Sequence, residues 1–179
     1  MTRFGQKQES NPLLYPTDRV FVMHDLEQLP AGTKVDRWPR HCTVIYPFYP
    51  TEAFTLDALT TAVKDALDSM PVINACPEDR VYYGPDDTPA VLLSSTGQTF
   101  HSEIIESEAI ELLHRRLLGS MIGHASYTLS EMIFKNFSPH VTLESDDDHI
   151  EPFTVDHLSI AVRDGETGER SIAAVINRD

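Results

Sequence analysis

Two stretches decide the fold: residues 41–48, His-Cys-Thr-Val-Ile-Tyr-Pro-Phe, and residues 139–143, Pro-His-Val-Thr-Leu. Both are rich in β-branched and aromatic residues, which favours strands, and the first strand is expected to stop at Pro47. Alternate residues of a strand point to the same face, about 6.5–7 Å apart. Each His-x-Thr therefore presents an imidazole beside a hydroxyl, while Cys42 and Val141 point into the core. Two such strands side by side would place two imidazoles and two hydroxyls in one groove.

Further strands and helices are predicted around these motifs. Apolar residues repeat at helical spacing in 55–70, where Thr55 or Thr51 is suited to cap the N-terminus, and in 102–118, where Gly119 is suited to the C-terminal end. In the second helix His114 lies beside two arginines, so we expect it at the surface. Short apolar runs predict the remaining strands, which are 19–23, 80–83, 90–93, 153–162 and 171–176.

Each half of the sequence contains one His-x-Thr strand, one helix and further strands, which is a loose internal duplication. The pattern predicts an α+β protein with two similar lobes of antiparallel or mixed sheet. Residues 1–17 are polar and contain proline, and we predict a loosely held N-terminal lead-in there. A single bilobal domain is expected to follow over residues 18–179.

The charge balance excludes several classes of partner. The 179 residues include 14 lysines and arginines against 28 aspartates and glutamates, for a formal net charge of −14. Proteins that follow long nucleic acids or anionic membranes use basic clusters, and this sequence has no basic run. We therefore expect no DNA and no membrane partner. A small anionic ligand remains open, because salt screens distant charges over about 8 Å.

The N-terminal residues and the two cysteines indicate the cellular compartment and the state of the thiols. The N-terminal residues show no apolar signal segment, and no run approaches the roughly 18 apolar residues of a membrane span. Cys42 and Cys76 lack the spacing of a metal site. We therefore expect a cytoplasmic monomer with reduced thiols.

The paired motifs suit phosphoryl transfer without a metal or another cofactor. A neutral imidazole can take a proton from the attacking oxygen and a protonated one can give a proton to the leaving oxygen; each role typically contributes 10²–10⁴-fold. Histidine serves both roles near neutral pH because its unperturbed pKa is about 6.5. Threonine hydroxyls can donate hydrogen bonds to the phosphate oxygens that do not react. The candidate catalytic residues are His41, Thr43, His140 and Thr142.

Counting alone does not select this pair of motifs. The sequence contains four His-x-Ser or His-x-Thr triplets, which begin at His41, His124, His140 and His157. The first and third stand out because both use threonine, adjoin apolar residues and fall in opposite halves. The triplet at His157 is a rival, since it lies in another strand-like run. The acidic run at 146–149 is the nearest approach to a metal site, but consecutive acids between strands are more typical of a solvated turn.

The two motifs resemble the paired signatures of the 2H phosphoesterase superfamily, in which two His-x-Ser/Thr motifs are each flanked by hydrophobic residues. Residues 41–48 look like the first motif of bacterial LigT-like members of the 2′-5′ RNA ligase family, and residues 139–143 are close to the commonest form of the motif. The resemblance extends over about residues 18–177. It implies a bilobal fold with a central groove, and chemistry on 2′,3′-cyclic phosphates or 2′-5′ linkages of small nucleotides or RNA ends.

On this chain the resemblance implies that His41 and His140 act as acid and base and that Thr43 and Thr142 bind phosphate. Which histidine plays which role stays open. Other branches of the superfamily cut cyclic nucleotides or the cyclic oligonucleotide signals of bacterial defence, so a phage-type counter-defence hydrolase is one alternative. A catalytically silent nucleotide-binding protein is the alternative outside enzymes.

The chain also departs from its relatives, several of which carry arginine or lysine just after the second motif. Here that position is Glu144. Arg40 and Lys135 are the nearest cations in the sequence, and either could replace the missing phosphate contact. Tyr46 and Phe48 follow the first motif, and aromatic rings near a nucleotide site can stack on bases at about 1–3 kcal/mol each. We therefore include these four residues as candidates for substrate binding.

Overall fold

The fold combines antiparallel strands with two helices in the part of the chain that the structure describes. A computed structural model describes residues 12–98, 105–121, 125–127 and 137–179. Helix α1 spans Leu56–Asp68 and helix α2 spans Ala109–Ser120. The strands are β1 Leu13–Leu14, β2 Arg19–Asp25, β3 Lys34–Val35, β4 His41–Pro50, β5 Phe54–Thr55, β6 Val72–Tyr83, β7 Thr88–Gln98, β8 Ile105–Ser107, β9 Ala125–Tyr127, β10 His140–Thr142, β11 Phe153–Val155, β12 His157–Arg163 and β13 Arg170–Asn177.

One curled sheet, a half-barrel, carries most of these strands. Its order is β11-β6-β7-β10-β4-β2-β12-β13-β3, with β8 added beside β7 and β9 beside β4. Neighbouring strands pair antiparallel, as β2 does with both β4 and β12. The short strands β1 and β5 form a separate pair. The α+β class predicted from the sequence is confirmed.

The two lobes meet at the centre of this sheet, between β4 and β10. An antiparallel strand pair has a local two-fold axis, and here the axis relates β4, β2, β12 and β13 to β10, β7, β6 and β11. Helix α1 packs on β12 and β13, and helix α2 packs on β4, β6 and β7. Each lobe thus has its own His-x-Thr strand and its own helix, as the internal duplication predicts.

The core lies between the sheet and the helices. Residues of β2 and β4 that point to this side, such as Val20, Val22 and Val44, are at most 1% exposed. The opposite face of β2 carries a smaller apolar cluster of Phe21 and Met23 together with Ala161 and Ile172. Because residues alternate along a strand, the sheet has a helix-covered face and a second face that is open to a groove.

Helix α1 forms where the apolar repeat predicts it. Its five buried residues are Leu56, Leu59, Val63, Ala66 and Leu67. Thr55 caps the N-terminus, since its side-chain oxygen accepts a hydrogen bond from the Ala58 backbone N–H (3.2 Å). Among the described residues, neither α1 nor α2 is long and apolar enough to cross a membrane.

Strand β4 does not stop at Pro47, which corrects the sequence expectation. The register against β2 shifts between the pairs Val22–Ile45 and Val20–Phe48, and Pro47 falls in this irregular stretch. Proline has no backbone N–H to donate, so it is tolerated where the ladder is already interrupted. The last residues of β4, from Phe48 onward, then continue by pairing with β9.

Helix α2 is shorter than the sequence predicts. Residues 102–104 lie outside the described residues, and Ile105–Ser107 forms strand β8 beside β7. The helix begins after Glu108, which is left-handed (φ 59°), and Ser95 Oγ of β7 accepts from the Ile110 N–H (2.9 Å). Gly119 lies inside the helix, whose C-cap is Met121. The start is therefore set by a side chain distant in sequence.

His114 is buried, which overturns its predicted place at the surface. Its exposed fraction is 2%. Nδ1 donates to the Val44 carbonyl oxygen (2.6 Å), and the ring stacks on Phe137 with centroids 3.8 Å apart. His114 thus fixes α2 against the backbone of β4, just beyond the first motif.

Candidate active site

The central strand pair brings the two His-x-Thr motifs together. Val141 lies opposite Cys42, so His41 is opposite Thr142 and His140 is opposite Thr43. All four motif side chains then share one face, with opposed side chains about 4.5–5.5 Å apart at Cβ. The middle residues of the two motifs, Val141 and Cys42, are 0% exposed on the other face, where burial raises the pKa of the Cys42 thiol to about 12.

Strand β10 is held in the sheet by hydrogen bonding to β4 on one side and to β7 on the other. Its residues from His140 to Thr142 pair with Leu92 to Ala90 of β7, while Val141 also pairs with β4. The Leu93 N–H donates to the Pro139 carbonyl oxygen (3.0 Å), which continues the ladder past the strand end. A three-residue strand is held firmly in this central position, although it would be marginal at a sheet edge.

Both motif histidines are oriented in the same way. His41 Nδ1 donates to the Pro39 carbonyl oxygen (2.6 Å), and His140 Nδ1 donates to the Ser138 carbonyl oxygen (2.9 Å). In each case the acceptor lies two residues earlier in the chain. A carbonyl oxygen only accepts, so Nδ1 carries the hydrogen and a neutral ring keeps its lone pair on Nε2. Each ring therefore has Nε2 as its proton-exchanging atom.

The environment of His41 favours its neutral form. Burial lowers its pKa, and the charge of a protonated His140 lowers it further, although the Pro39 hydrogen bond and the charge of Asp25 oppose these effects. The influence of His140 on His41 agrees with their diagonal places on adjacent strands. A positive charge on His140 therefore disfavours a proton on His41, which suits His41 to the role of a base.

The rival triplet at His157 forms a buried ion pair instead. His157 Nε2 donates to Asp25 Oδ1 (2.7 Å) and Nδ1 donates to Asp156 Oδ1 (2.7 Å). Burial alone lowers the pKa of His157, but the hydrogen bonds to the two carboxylates outweigh it and the pKa is raised. Both ring nitrogens are thus occupied by protein carboxylates, which leaves no nitrogen for a substrate.

Asp25 connects this ion pair to the groove. It is 0% exposed and lies opposite His41 in the β2–β4 register. Burial alone raises its pKa, but hydrogen bonds from His157, from the Leu29 N–H (2.8 Å) and from Ser159 Oγ (2.9 Å) outweigh it and bring the pKa to about 2. Asp25 is therefore a buried carboxylate beside the first motif.

Two clusters of possible metal ligands lie away from the motif face. Ligand atoms of His24, Asp156 and His157 lie within 4.8 Å of one another, yet Asp156 and His157 are bound to each other. In the acidic run at 146–149, the Asp148 carboxylate accepts from Arg40 Nη1 (3.0 Å). Asp146 likewise accepts from Tyr82. Asp146 and Asp148 of this run are thus engaged by protein donors.

The four predicted binding residues have different outcomes. Phe48 is 0% exposed, so the expectation that it stacks on a base is wrong; the register shift in β4 turns its ring into the core. Tyr46 is half-buried and packs edge-on against Phe137 with centroids 5.8 Å apart. Arg40 is paired with an aspartate of the acidic run. Lys135 lies outside the described residues.

A cavity of about 320 Å³ extends from the first motif along the open face of the sheet. Most of its lining residues are not predicted from the sequence, because many of them lie on strands that are distant in sequence from both motifs. The alternation Arg19-x-Phe21 on β2 was the available signal, since both residues face the same side. The cavity is lined by Arg19, Phe21, Trp38, His41, Thr43, Pro47, Arg163 and Arg170.

Aromatic rings flank both motif histidines. Phe21 lies 5.6 Å from the His41 ring, and Trp38 packs edge-on against Phe21 at 4.9 Å. Tyr83 lies 4.9 Å from the His140 ring. Aromatic side chains thus border the groove beside both histidines. On the His41 side they are Phe21 and Trp38, which lie outside the motifs.

A half-barrel with two facing His-x-Thr pairs defines the protein as one of the 2H phosphoesterase class. The family model described as the 2′-5′ RNA ligase superfamily matches residues 18–167, and the chain belongs to that superfamily. Membership supports a 2H phosphoesterase-type activity in general. No curated protein matches the chain at a significant level.

Proposed function

We propose that the protein is a metal-independent phosphodiesterase that acts on the 2′,3′-cyclic phosphate or a 2′-5′ linkage of a small nucleotide or short RNA end. The observation that carries the proposal is the register of Val141 against Cys42, which faces two imidazoles and two hydroxyls into one groove. The net charge of −14 favours a small substrate over a long RNA.

His41 is assigned as the base and His140 as the acid for ring opening. The assignment rests on the lowered pKa of His41, which keeps its Nε2 free to accept a proton. In the reaction, His41 Nε2 takes a proton from water as the water oxygen bonds to phosphorus. His140 Nε2 gives its proton to the ribose oxygen whose bond to phosphorus breaks.

The geometry suits an attack and a departure on opposite sides of the phosphorus. The two histidines are diagonal neighbours, about 7–8 Å apart between Cα atoms, which leaves room for a phosphate between the rings. Thr43 and Thr142 occupy the other diagonal. Their hydroxyls are assigned to the phosphate oxygens that do not react, where charge accumulates as the new bond forms.

Hydrolysis of a 2′,3′-cyclic mononucleotide tests the proposal directly. Wild type is compared with His41→Ala and His140→Ala, each expected to lower kcat by about 10²–10⁴-fold. His149→Ala is the matched control, since that side chain is 78% exposed and lies outside the groove. The variants are checked for folding by circular dichroism before rates are compared.

Three results would contradict the proposal. A rate that is unaffected in both motif variants would place the chemistry elsewhere. Activity lost in EDTA and restored by a divalent cation would assign the reaction to a metal site. Tight nucleotide binding without turnover of any cyclic or 2′-5′-linked nucleotide would favour the alternative of a silent binding protein.

A further inference from the structure

Three arginines stand in one row across neighbouring strands. Arg163 of β12 lies opposite Arg19 of β2 and, on its other side, opposite Arg170 of β13. Directly opposed residues point to the same face of a sheet, so the three guanidinium groups emerge together. Opposed like charges destabilise a sheet, and this arrangement therefore calls for a compensating interaction.

Carboxylates of the described residues do not neutralise the row. In the part of the chain that the structure describes, carboxylates pair with the basic residues Lys34, Arg37, Arg40, Lys64 and Arg80, and with none of the three in the row. Arg170 donates to the Asp36 backbone carbonyl oxygen, which is uncharged. A positive row that pairs with no described carboxylate, in a chain with a net charge of −14, is a local feature that an anion would neutralise.

The row and the first motif share one cavity. Arg19, Arg163 and Arg170 line the same space as His41 and Thr43. Along β2, the row is four residues from the position opposite Thr43, or about 13 Å at 3.3 Å per residue. An arginine side chain covers part of that distance, and the remainder is within the span of a nucleotide unit.

We propose that this arginine row is a subsite for a second phosphate of the substrate. The proposal deepens the proposed function and rests on it, since the reacting phosphate is placed between the two motifs. The substrate class is then a nucleotide or short oligonucleotide with at least two phosphates, one at the histidines and one at the arginines. Guanidinium groups suit this role because their planar fork binds phosphate through two parallel hydrogen bonds.

Phe21 and Trp38 line the same cavity as the first motif and the arginine row. Their rings offer apolar surface to the sugar or base that joins the two phosphates. The acidic net charge of the chain does not oppose this binding strongly, because charges further away than about 8 Å are screened at physiological salt.

Equilibrium binding tests the subsite without requiring turnover. Calorimetry compares a nucleoside 3′,5′-bisphosphate with the matching 3′-monophosphate on wild type, Arg19→Gln and Arg163→Gln. The second phosphate is expected to tighten Kd by about 10- to 100-fold in wild type and to give little gain in either variant. Arg115→Gln, an exposed arginine on α2, is the matched control and should keep the full gain.

The outcomes separate the subsite from the proposed function. An equal Kd for the two ligands in wild type, or a gain that survives in both Arg19→Gln and Arg163→Gln, would overturn the subsite. Turnover of a cyclic mononucleotide with no benefit from a second phosphate would leave the proposed function intact and refute the subsite. A phosphate gain that depends on the arginines, in a protein that hydrolyses nothing, would support the subsite and refute the proposed function.

Discussion

His157→Ala separates the two candidate motif pairs, because it removes a buried ion pair and leaves the four motif side chains of β4 and β10 in place. Both nitrogens of His157 donate to carboxylates, one of them the fully buried Asp25. Its removal leaves Asp25 with the hydrogen bonds from Ser159 and the Leu29 N–H among the described residues. We therefore expect a loss of stability with kcat within about threefold of wild type.

The size of this loss of stability is worked out from the lowered pKa of the Asp25 carboxylate. The pKa of Asp25 falls from its ordinary 3.8 to about 2 in the folded protein. At about 1.4 kcal/mol per pH unit, this shift corresponds to roughly 2 kcal/mol of stability at neutral pH. Breaking a buried pair by removing one partner typically costs about 3–5 kcal/mol. We expect a loss of about 3 kcal/mol, which for a chain of this size lowers Tm by about 6–12 °C.

The effect on stability depends on pH in a defined direction. Asp25, whose pKa is lowered on folding, contributes stability above pH 3.8 that disappears as the pH falls toward 2. His157, whose pKa is raised on folding, contributes stability below pH 6.5 that disappears as the pH rises through the folded value. The free-energy difference between wild type and variant is therefore expected to be largest between about pH 4 and pH 6.5.

Urea unfolding followed by circular dichroism, at about pH 5, 7 and 9, measures the difference. The kinetic comparison is made at a low temperature, where wild type and variant are both folded, with His149→Ala as the control. A His157→Ala protein with an unchanged free energy of unfolding and a hundredfold lower kcat would refute the reasoning. His157 would then be a reacting group, and the pairing of His41 with His140 would be wrong.

Four further predictions concern the groove. The double variant of His41→Ala and His140→Ala should lose much less kcat than the product of the single losses, measured by steady-state kinetics, because the two groups act as one unit. Thr43→Ala and Thr142→Ala should each lower kcat/KM in the same assay by a factor that corresponds to about 1–3 kcal/mol of transition-state stabilisation, as for a lost hydrogen bond to a charged group. An unchanged kcat/KM in both variants would remove the threonines from phosphate binding. The pH profile of kcat/KM should be bell-shaped with its acid limb below pH 6.5, because burial lowers the pKa of His41, and a profile flat from about pH 5 to 8 would contradict histidine proton transfer. Turnover should survive dialysis against EDTA, since the motifs already supply acid, base and anion donors.

Local patterns in the sequence predicted the elements whose geometry is local. The alternation around His41 and His140 placed each histidine on the same face as its threonine, and the strand register agrees. Helix α1 follows from its apolar repeat and from a capping residue, Thr55, only three residues before the N–H that it binds. Propensity, periodicity and capping act over a few residues, so they can be read without knowing the fold.

The remaining features depend on contacts between distant residues. The start of α2 is set by Ser95, and the burial of His114 by Val44 on β4. The arginine row exists only through the register of three strands, since Arg19 and Arg163 are far apart in the sequence. No local pattern carries such a register, because it is fixed by the pairing of whole strands.

The two motifs on β4 and β10 do not by themselves choose between a 2′-phosphate and a 3′-phosphate product. With His41 as base and His140 as acid, either ester oxygen of a cyclic phosphate can face His140, depending on how the ribose is oriented. The arginine row would fix this orientation, because its strands belong to the lobe of the first motif. A substrate anchored there would present the same ester oxygen to His140 in every turnover. The identity of the product isomer would then be determined by three arginines that never contact the reacting phosphorus.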